Sequence, residues 1–207
     1  KGAGQFRAIG RTIGVWQLAQ IKNFISDAIE RTKSSKGVSD LATLTQMFKL
    51  PVDGKVGTTS VFVISSMAGG SGSGLFQDVA HMVKVIDNKL DSFTHVLLYG
   101  ADVFKLSVDP NMMQSIPGNT LGGVAETLNG VWRTNLTSAT EALYSRAGFA
   151  NVGIKRYGGK HHWLIGASNE NSILGSSTDE IYRAVGSSLA ALAVSPSTLD
   201  WLNDFVL

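Results

Sequence analysis

The residues with the clearest chemistry form a glycine–serine run directly after a short apolar stretch. The run consists of Gly69, Gly70, Ser71, Gly72, Ser73 and Gly74. Backbone N–H groups can approach an anion closely where no side chain blocks them, and glycine also adopts positive φ at little cost. A turn of this kind between a strand and a helix directs the positive end of the helix dipole at the anion. The run therefore predicts a phosphate-binding site, with the two serine hydroxyls as further donors.

Two common phosphate-binding motifs do not fit this run. A Walker A loop would end in Lys followed by Ser or Thr, but Leu75 follows Gly74. A G-x-G-x-x-G turn would need glycine at position 75 or 77, and these positions hold Leu75 and Gln77. Without a lysine, backbone dipoles and Mg²⁺ are expected to balance the phosphate charge. The alternative is a flexible linker without a ligand, because linkers are often rich in glycine and serine.

The surrounding pattern predicts an α/β fold with a parallel sheet. Residues 61–64 form a continuous apolar run, as in a strand covered on both faces, and residues 95–99 form a second strand. Between them, residues 75–90 have the spacing of an amphipathic helix, and His81 is predicted to be exposed on its polar side. This arrangement is a βαβ unit, and a third strand is predicted at residues 162–166. Further helices are predicted from Phe6 to the basic segment 33–37, over 39–48, over about 119–144, after the capping pair Ser177 and Glu180, and from Pro196.

Composition and charge limit the classes of function. The 207 residues are 43% hydrophobic and 16% charged, which suits one large α/β domain with a buried core. The formal net charge of +2 gives no case for binding nucleic acid or an anionic membrane surface. No apolar run reaches the ~18–20 residues of a membrane span, and the lack of cysteine excludes disulfides and thiolate metal sites. The neighbouring His161 and His162 are expected to be solvated on opposite faces of a strand, so no metal site is predicted. We expect a cytoplasmic protein.

At the glycine run the sequence resembles a known superfamily. Residues 65–74, which read Ser-Ser-Met-Ala-Gly-Gly-Ser-Gly-Ser-Gly, are similar to the signature G-G-[GT]-G-[ST]-G of tubulin and the cell-division protein FtsZ. They look most like the divergent bacterial tubulin-like proteins. Residues 2–11, which open a predicted helix, are similar to the loop before the family's third helix. The resemblance implies a parallel-sheet, Rossmann-like GTPase domain of tubulin/FtsZ type, with helices on both faces.

The resemblance also implies which residues contact the phosphates. Residues 69–74 would bind the α- and β-phosphates of GTP or GDP, accompanied by Mg²⁺. The residues implied near the γ-phosphate are Ala3, Gly4 and Gln5, with Arg7 or Arg11 nearby.

For the ribose and the base, the resemblance implies residues on later loops. The family's sugar-contacting loop corresponds to residues 100–109, in which Asp102 is the candidate. Tyr182 fits the tyrosine that stacks on the base in this family. Gly186 stands where the family has an asparagine, so Asn169 and Asn171 are alternative candidates for reading the base.

Catalysis and assembly are linked in this family, because carboxylates after the central helix act on the nucleotide of the neighbouring subunit. The matching place here contains Asp200 and Asp204, which share one helix face but also fit an ordinary capped helix. Three hypotheses follow. The protein is a GTPase that stacks head-to-tail with itself into filaments, a nucleotide-binding scaffold that does not hydrolyse, or an interaction domain with an empty site.

The family's first glycine-rich loop is not visible in the sequence. We therefore expect residues 1–207 to be part of a single nucleotide-binding α/β domain, without the family's N-terminal strands and C-terminal domain.

Overall fold

Three parallel strands alternate with helices in the described part of the chain. The structure is a computed structural model that describes residues 3–50, 59–105, 107–132, 138–146, 148–149 and 157–205. The first helices are α1 (Arg7–Trp16), α2 (Leu18–Lys33) and α3 (Ser35–Met47). The sheet region contains β1 (Val61–Ser66), α4 (Gly70–Ile86), β2 (Thr94–Tyr99), α5 (Ala101–Phe104), α6 (Ile116–Trp132), α7 (Ser138–Arg146) and β3 (His161–Ile165). The last helices are α8 (Thr178–Val194) and α9 (Pro196–Phe205), and the 3₁₀ helices Asn88–Phe93 and Pro110–Ser115 precede β2 and α6.

The sheet has the strand order β1–β2–β3, and both strand pairs are parallel. The βαβ unit predicted around the glycine run is confirmed, with α4 as its crossover helix. On one face, α4 closes a core made of Val63, Met67, Phe76, Ala80, Val96 and Leu98. On the other face, α8 packs at the carboxyl ends of the strands in a cluster of Tyr99, Val103, Ile165, Ile181 and Val185. Helices therefore cover both faces of the sheet, as the predicted fold class requires.

Helix α4 is buried on its polar side as well as on its apolar side. The buried polar residues are Gln77, Asp78, His81 and Lys84, each at most 5% exposed. They face α1, α7 and the segment before β3, which supply hydrogen bonds and ring contacts. The prediction that His81 is exposed is therefore wrong. The helical pattern locates the side that faces the sheet, but it does not show that a second layer covers the opposite side.

The helix boundaries differ from the sequence pattern at three places. The single helix predicted from Phe6 is divided by a turn at Gln17 into α1 and α2. Gly37 lies inside α3 and does not end the preceding helix, because the Ser34 hydroxyl accepts the Gly37 N–H at 3.0 Å and caps α3. The helix predicted over about 119–144 is observed as two helices, α6 and α7.

The adjacent histidines of β3 also differ from expectation. His161 is buried, its ring stacks on His95 with centroids 5.1 Å apart, and its Nε2 lies 3.1 Å from the Ser92 carbonyl oxygen. His162 has a different neighbour, because its Nε2 lies 3.4 Å from Gln77 Oε1. The expectation of a solvated pair is thus wrong for His161, since the neighbouring strand supplies a stacking partner. Among the described residues, no group of three or more histidine or carboxylate side chains could hold a metal ion.

Candidate functional site

The glycine run forms the start of α4, at the carboxyl end of β1. Gly69 is the N-cap with φ −90° and ψ 166°, and Gly70 is the first helical residue. None of the six residues of the run has positive φ. The run is therefore an open helix N-terminus and not a left-handed turn, so the conformational reason for glycine that the sequence suggested does not apply here.

Close backbone approach explains three glycines of the run. A Cβ on Gly70 would lie 2.7 Å from the Phe6 carbonyl oxygen, and a Cβ on Gly74 would lie 2.6 Å from the Arg7 carbonyl oxygen. Both glycines thus allow α1 to pack on α4. A Cβ on Gly72 would lie 2.8 Å from the Ser66 carbonyl oxygen, next to the end of β1.

Gly69 is different, because among the described residues a Cβ there would meet only the Gly4 carbonyl oxygen, at 3.8 Å. Its lack of a side chain is not required by internal packing, so this position has room for a ligand.

Hydrogen bonds divide the predicted phosphate donors into engaged and open groups. The Gly70 N–H donates to the Gly4 carbonyl oxygen at 2.7 Å. The buried Ser73 hydroxyl donates to the Gly69 carbonyl oxygen. Within the described part of the chain, the amides of Gly69, Ser71 and Gly72 have no acceptor, as expected for a first helical turn. The Ser71 side chain is exposed. The open donors are therefore three amides and one hydroxyl.

The loop before α1, which holds the second set of candidate residues, lies against this helix start. Ala3 is buried, and its carbonyl accepts the Phe6 N–H at 3.1 Å. Gly4 has φ +57°, a conformation that favours glycine, and its carbonyl holds Gly70. The Gln5 side chain accepts a hydrogen bond from the Ser115 hydroxyl. The structure thus brings Ala3, Gly4 and Gln5 together with the glycine run.

Asn119 of α6 joins the two segments, and the sequence carries no motif that would have identified it. Its side-chain Nδ2 donates to the Gln5 carbonyl oxygen at 2.9 Å and to the Ala68 carbonyl oxygen at 2.8 Å. One buried amide therefore contacts both predicted phosphate segments.

The two arginines of α1 are directed at α4. Arg7 donates from Nε and Nη2 to the Ser73 carbonyl oxygen, at 3.1 and 2.8 Å, and forms a 2.6 Å ion pair with Glu126 of α6. Arg11 forms an ion pair of 3.2 Å with the buried Asp78. Both arginines therefore connect α1 with α4, and the ion pair of Arg7 also connects α1 with α6.

A cavity of about 760 Å³ lies at the carboxyl ends of β2 and β3. Asp102 and Asn169 both line it, so the structure brings these two candidates together. The Asp102 carboxylate accepts the Ala167 N–H at 2.6 Å. Pro117 and Thr120 of α6 also line the cavity and flank Asn119, so the same turn of α6 borders the cavity and the two loops.

The other base candidates lie elsewhere. Asn171 and Tyr182 are absent from the described residues that line this cavity. Asn171 is exposed, and its N–H donates to Asn169 Oδ1 at 2.9 Å. Tyr182 packs edge-on against Tyr99, with ring centroids 5.0 Å apart. Helix α8 instead faces the cavity with Ala184, Val185, Ser188 and Leu189.

The carboxylates considered for hydrolysis lie on α9. Asp200 and Asp204 are exposed, and α9 packs against α8. Pro196 occupies the first position of α9, as predicted.

The parallel sheet, the helices on both of its faces and the glycine-rich start of α4 define a Rossmann-like domain of the tubulin type. The family model described as tubulin-like matches residues 1–200, and the chain belongs to this family. Comparison with curated proteins and with solved structures gave no match. In the described ranges, no helix combines the length and the apolar composition that a membrane span needs.

Proposed function

We propose that this domain binds GTP or GDP, with the phosphates at the start of α4 and the nucleoside in the cavity beside α5 and α8. The observation that carries the proposal is the set of open amides of Gly69, Ser71 and Gly72, at the carboxyl end of a buried parallel strand. A helix N-terminus in this position combines free N–H donors with the positive end of the helix dipole. Membership of the tubulin-like family supports a guanine nucleotide as the ligand.

The cavity supports the same proposal. Its volume of about 760 Å³ lies within the ~300–1,000 Å³ range of ordinary ligand pockets. Asp102, Lys105 and Asn169 provide polar groups in a lining that is otherwise mostly apolar. We assign the ribose to the side of Asp102 and the base to the side of Asn169. Bound Mg²⁺ would supply positive charge to the phosphates.

We further propose that the protein assembles with itself. Subunits of this family type stack head-to-tail, and a heterologous contact that does not close into a ring yields a filament. Hydrolysis of GTP at the subunit interface then depends on residues of two subunits.

Ser71 offers a sharp test of the phosphate site, because its side chain is exposed at the helix start. Ser71→Asp places a negative charge in the first turn of α4, where it interacts favourably with the helix dipole but repels a phosphate. Ser71→Asn is the matched neutral control. We expect Ser71→Asp to weaken GTP binding at least tenfold, measured by calorimetric titration, while its melting temperature stays at or above that of Ser71→Asn. Equal GTP affinity in both variants would refute the assignment of the phosphate site.

A scaffold that binds nucleotide without hydrolysing it is the second candidate function. Of the described residues that line the cavity, Asp102 is the only carboxylate, and it already accepts the Ala167 N–H. The two candidates differ in the fate of bound GTP. Chromatography of the denatured protein after long incubation would recover GDP from a GTPase and intact GTP from a scaffold.

A further inference from the structure

The contacts of Asn119 constrain the orientation of the first peptide of the glycine run. Asn119 is 8% exposed, and its Nδ2 donates to the carbonyl oxygens of Ala68 and Gln5. Because both partners are acceptors, they fix which end of the side-chain amide is the nitrogen. Both donors of this NH₂ group are thus used, one on each loop.

A fixed carbonyl determines where the next amide points. In a trans peptide, the C=O of one residue and the N–H of the following residue point in opposite directions. Since Asn119 holds the Ala68 oxygen, the Gly69 N–H points away from Asn119. The Gly69 amide is one of the open donors at the start of α4. If this peptide turned over, a carbonyl oxygen would replace the donor and would repel an anion.

The second hydrogen bond of Asn119 fixes the loop before α1 relative to the glycine run. The Gln5 carbonyl is bound by Asn119, and the Gly4 carbonyl is bound by the Gly70 N–H at 2.7 Å. Two consecutive carbonyls of the loop before α1 are therefore engaged by the protein.

We propose that Asn119 is a positioning residue that orients both phosphate loops for the triphosphate chain of the nucleotide. The inference rests on the proposed nucleotide-binding function. Asn119 acts through the backbone of Ala68 and Gln5, so its contribution grows with the number of phosphates that these loops contact. It contributes little to binding of the nucleoside part.

The test compares Asn119→Asp with Asn129→Asp. The first variant keeps the side-chain shape but replaces both donors by a carboxylate that repels the two carbonyls. Asn129 lies on the same helix and is exposed, so the control adds the same charge away from the loops. We expect Asn119→Asp to weaken GTP binding at least tenfold and GMP binding less than threefold. The control should leave both affinities unchanged.

The affinities for GTP, GDP and GMP distinguish failure of the proposed function from failure of the inference about Asn119. If the wild-type chain binds neither GTP nor GDP, the proposed function fails. If it binds GTP and Asn119→Asp binds equally well, the inference fails while the function stands. An equal loss for GTP and GMP would show a merely structural role and would also overturn the inference. Should Asn119→Asp not fold, Asn119→Ala replaces it, since it removes the donors without adding charge and the same GTP-to-GMP comparison applies.

Discussion

The rings of His81 and Tyr144 lie nearly parallel, with centroids 5.3 Å apart and an interplanar angle of 8°. The ring of Tyr157 is tilted against the same histidine ring, with centroids 5.4 Å apart. His81 is fully buried, and neither of its ring nitrogens has a hydrogen-bond partner among the described residues. Burial, together with the nearby positive charge of Lys84, lowers the pKa of His81 to about 3.

This environment predicts an acid-sensitive fold. Between pH 6.5 and about 3, the unfolded chain binds a proton at His81 that the folded chain does not. The free energy of unfolding should therefore fall as the pH falls through this window, by up to ~1.4 kcal/mol per pH unit from this group. His81→Phe should remove that component and stabilise the protein by about 1 kcal/mol at pH 7, since no buried nitrogen is left unpaired. Urea unfolding of the wild type and of His81→Phe at pH 5 and pH 7 measures this pH-dependent part of the free energy of unfolding. Equal pH dependence in both would contradict the prediction.

Asp78 is the centre of a buried polar cluster and should be needed for stability. The hydroxyls of Tyr144 and Tyr157 donate to its Oδ1 at 2.6 and 2.5 Å, and Arg11 pairs with Oδ2 at 3.2 Å. Asp78→Asn weakens three charge-assisted contacts at once. We expect a loss of roughly 2 kcal/mol, less than for a fully buried pair because the Arg11 side chain is 33% exposed.

The control for this variant is Asp179→Asn. Asp179 pairs with Arg183 four residues on, at 2.8 Å, but both side chains are at least 70% exposed. Such a pair contributes less than about 0.5 kcal/mol. If chemical denaturation gave the two variants equal losses of unfolding free energy, the cluster around Asp78 would not stabilise the fold more than an exposed ion pair does.

Glycine-to-alanine changes should have opposite signs on α1 and α8. A Cβ on Gly10 would lie 2.6 Å from the Gly70 carbonyl carbon, so Gly10→Ala must push α1 away from α4. We expect a loss of about 1–3 kcal/mol, together with weaker nucleotide binding as the Gly4 loop moves. A Cβ on Gly186 would meet no described residue within 4 Å, and Gly186→Ala should gain up to ~1 kcal/mol. The melting temperatures of the two variants measure these changes in stability. Two changes of the same sign would contradict the predicted difference between the close contact at Gly10 and the lack of one with the described residues at Gly186.

The strand, turn and helix around the glycine run were predictable because each has a strong local signal. Residues 61–64 are continuously apolar, and α4 has helical spacing. What was not predictable depends on tertiary contacts. The burial of His81 depends on α1 and α7, and the need for glycine at positions 70 and 74 depends on the approach of α1.

The candidate site was predictable only where a motif exists. The two loops were found through their resemblance to a signature, and they do meet, through Gly4 and Gly70. Asn119 was missed because an asparagine within a helix has no sequence signature, and its partners are 51 and 114 residues away along the chain. Tyr182 is a candidate for the base by its position in the chain, and its ring contact with Tyr99 is one that sequence order cannot predict.

Two variants tested together show whether subunits complete one another's sites. Ser71→Asp keeps Asp200 and Asp204 but holds little nucleotide when GTP is supplied near the Kd of the wild type. A protein with Asp200→Asn and Asp204→Asn keeps the phosphate site and loses the carboxylates on the exposed face of α9. If hydrolysis needs the nucleotide of one subunit and the carboxylates of the next, each variant alone should have little activity at this GTP concentration.

An equal mixture of the two variants should then regain about one quarter of the wild-type rate, since half of the subunits hold nucleotide and half supply carboxylates to a neighbour. Phosphate release is measured at rising total concentration, because contacts between subunits form by mass action. An inactive mixture would argue against catalysis in trans. A carboxylate variant as active as the wild type would leave α9 as an ordinary capped helix, and a different source for the hydrolytic group would be needed.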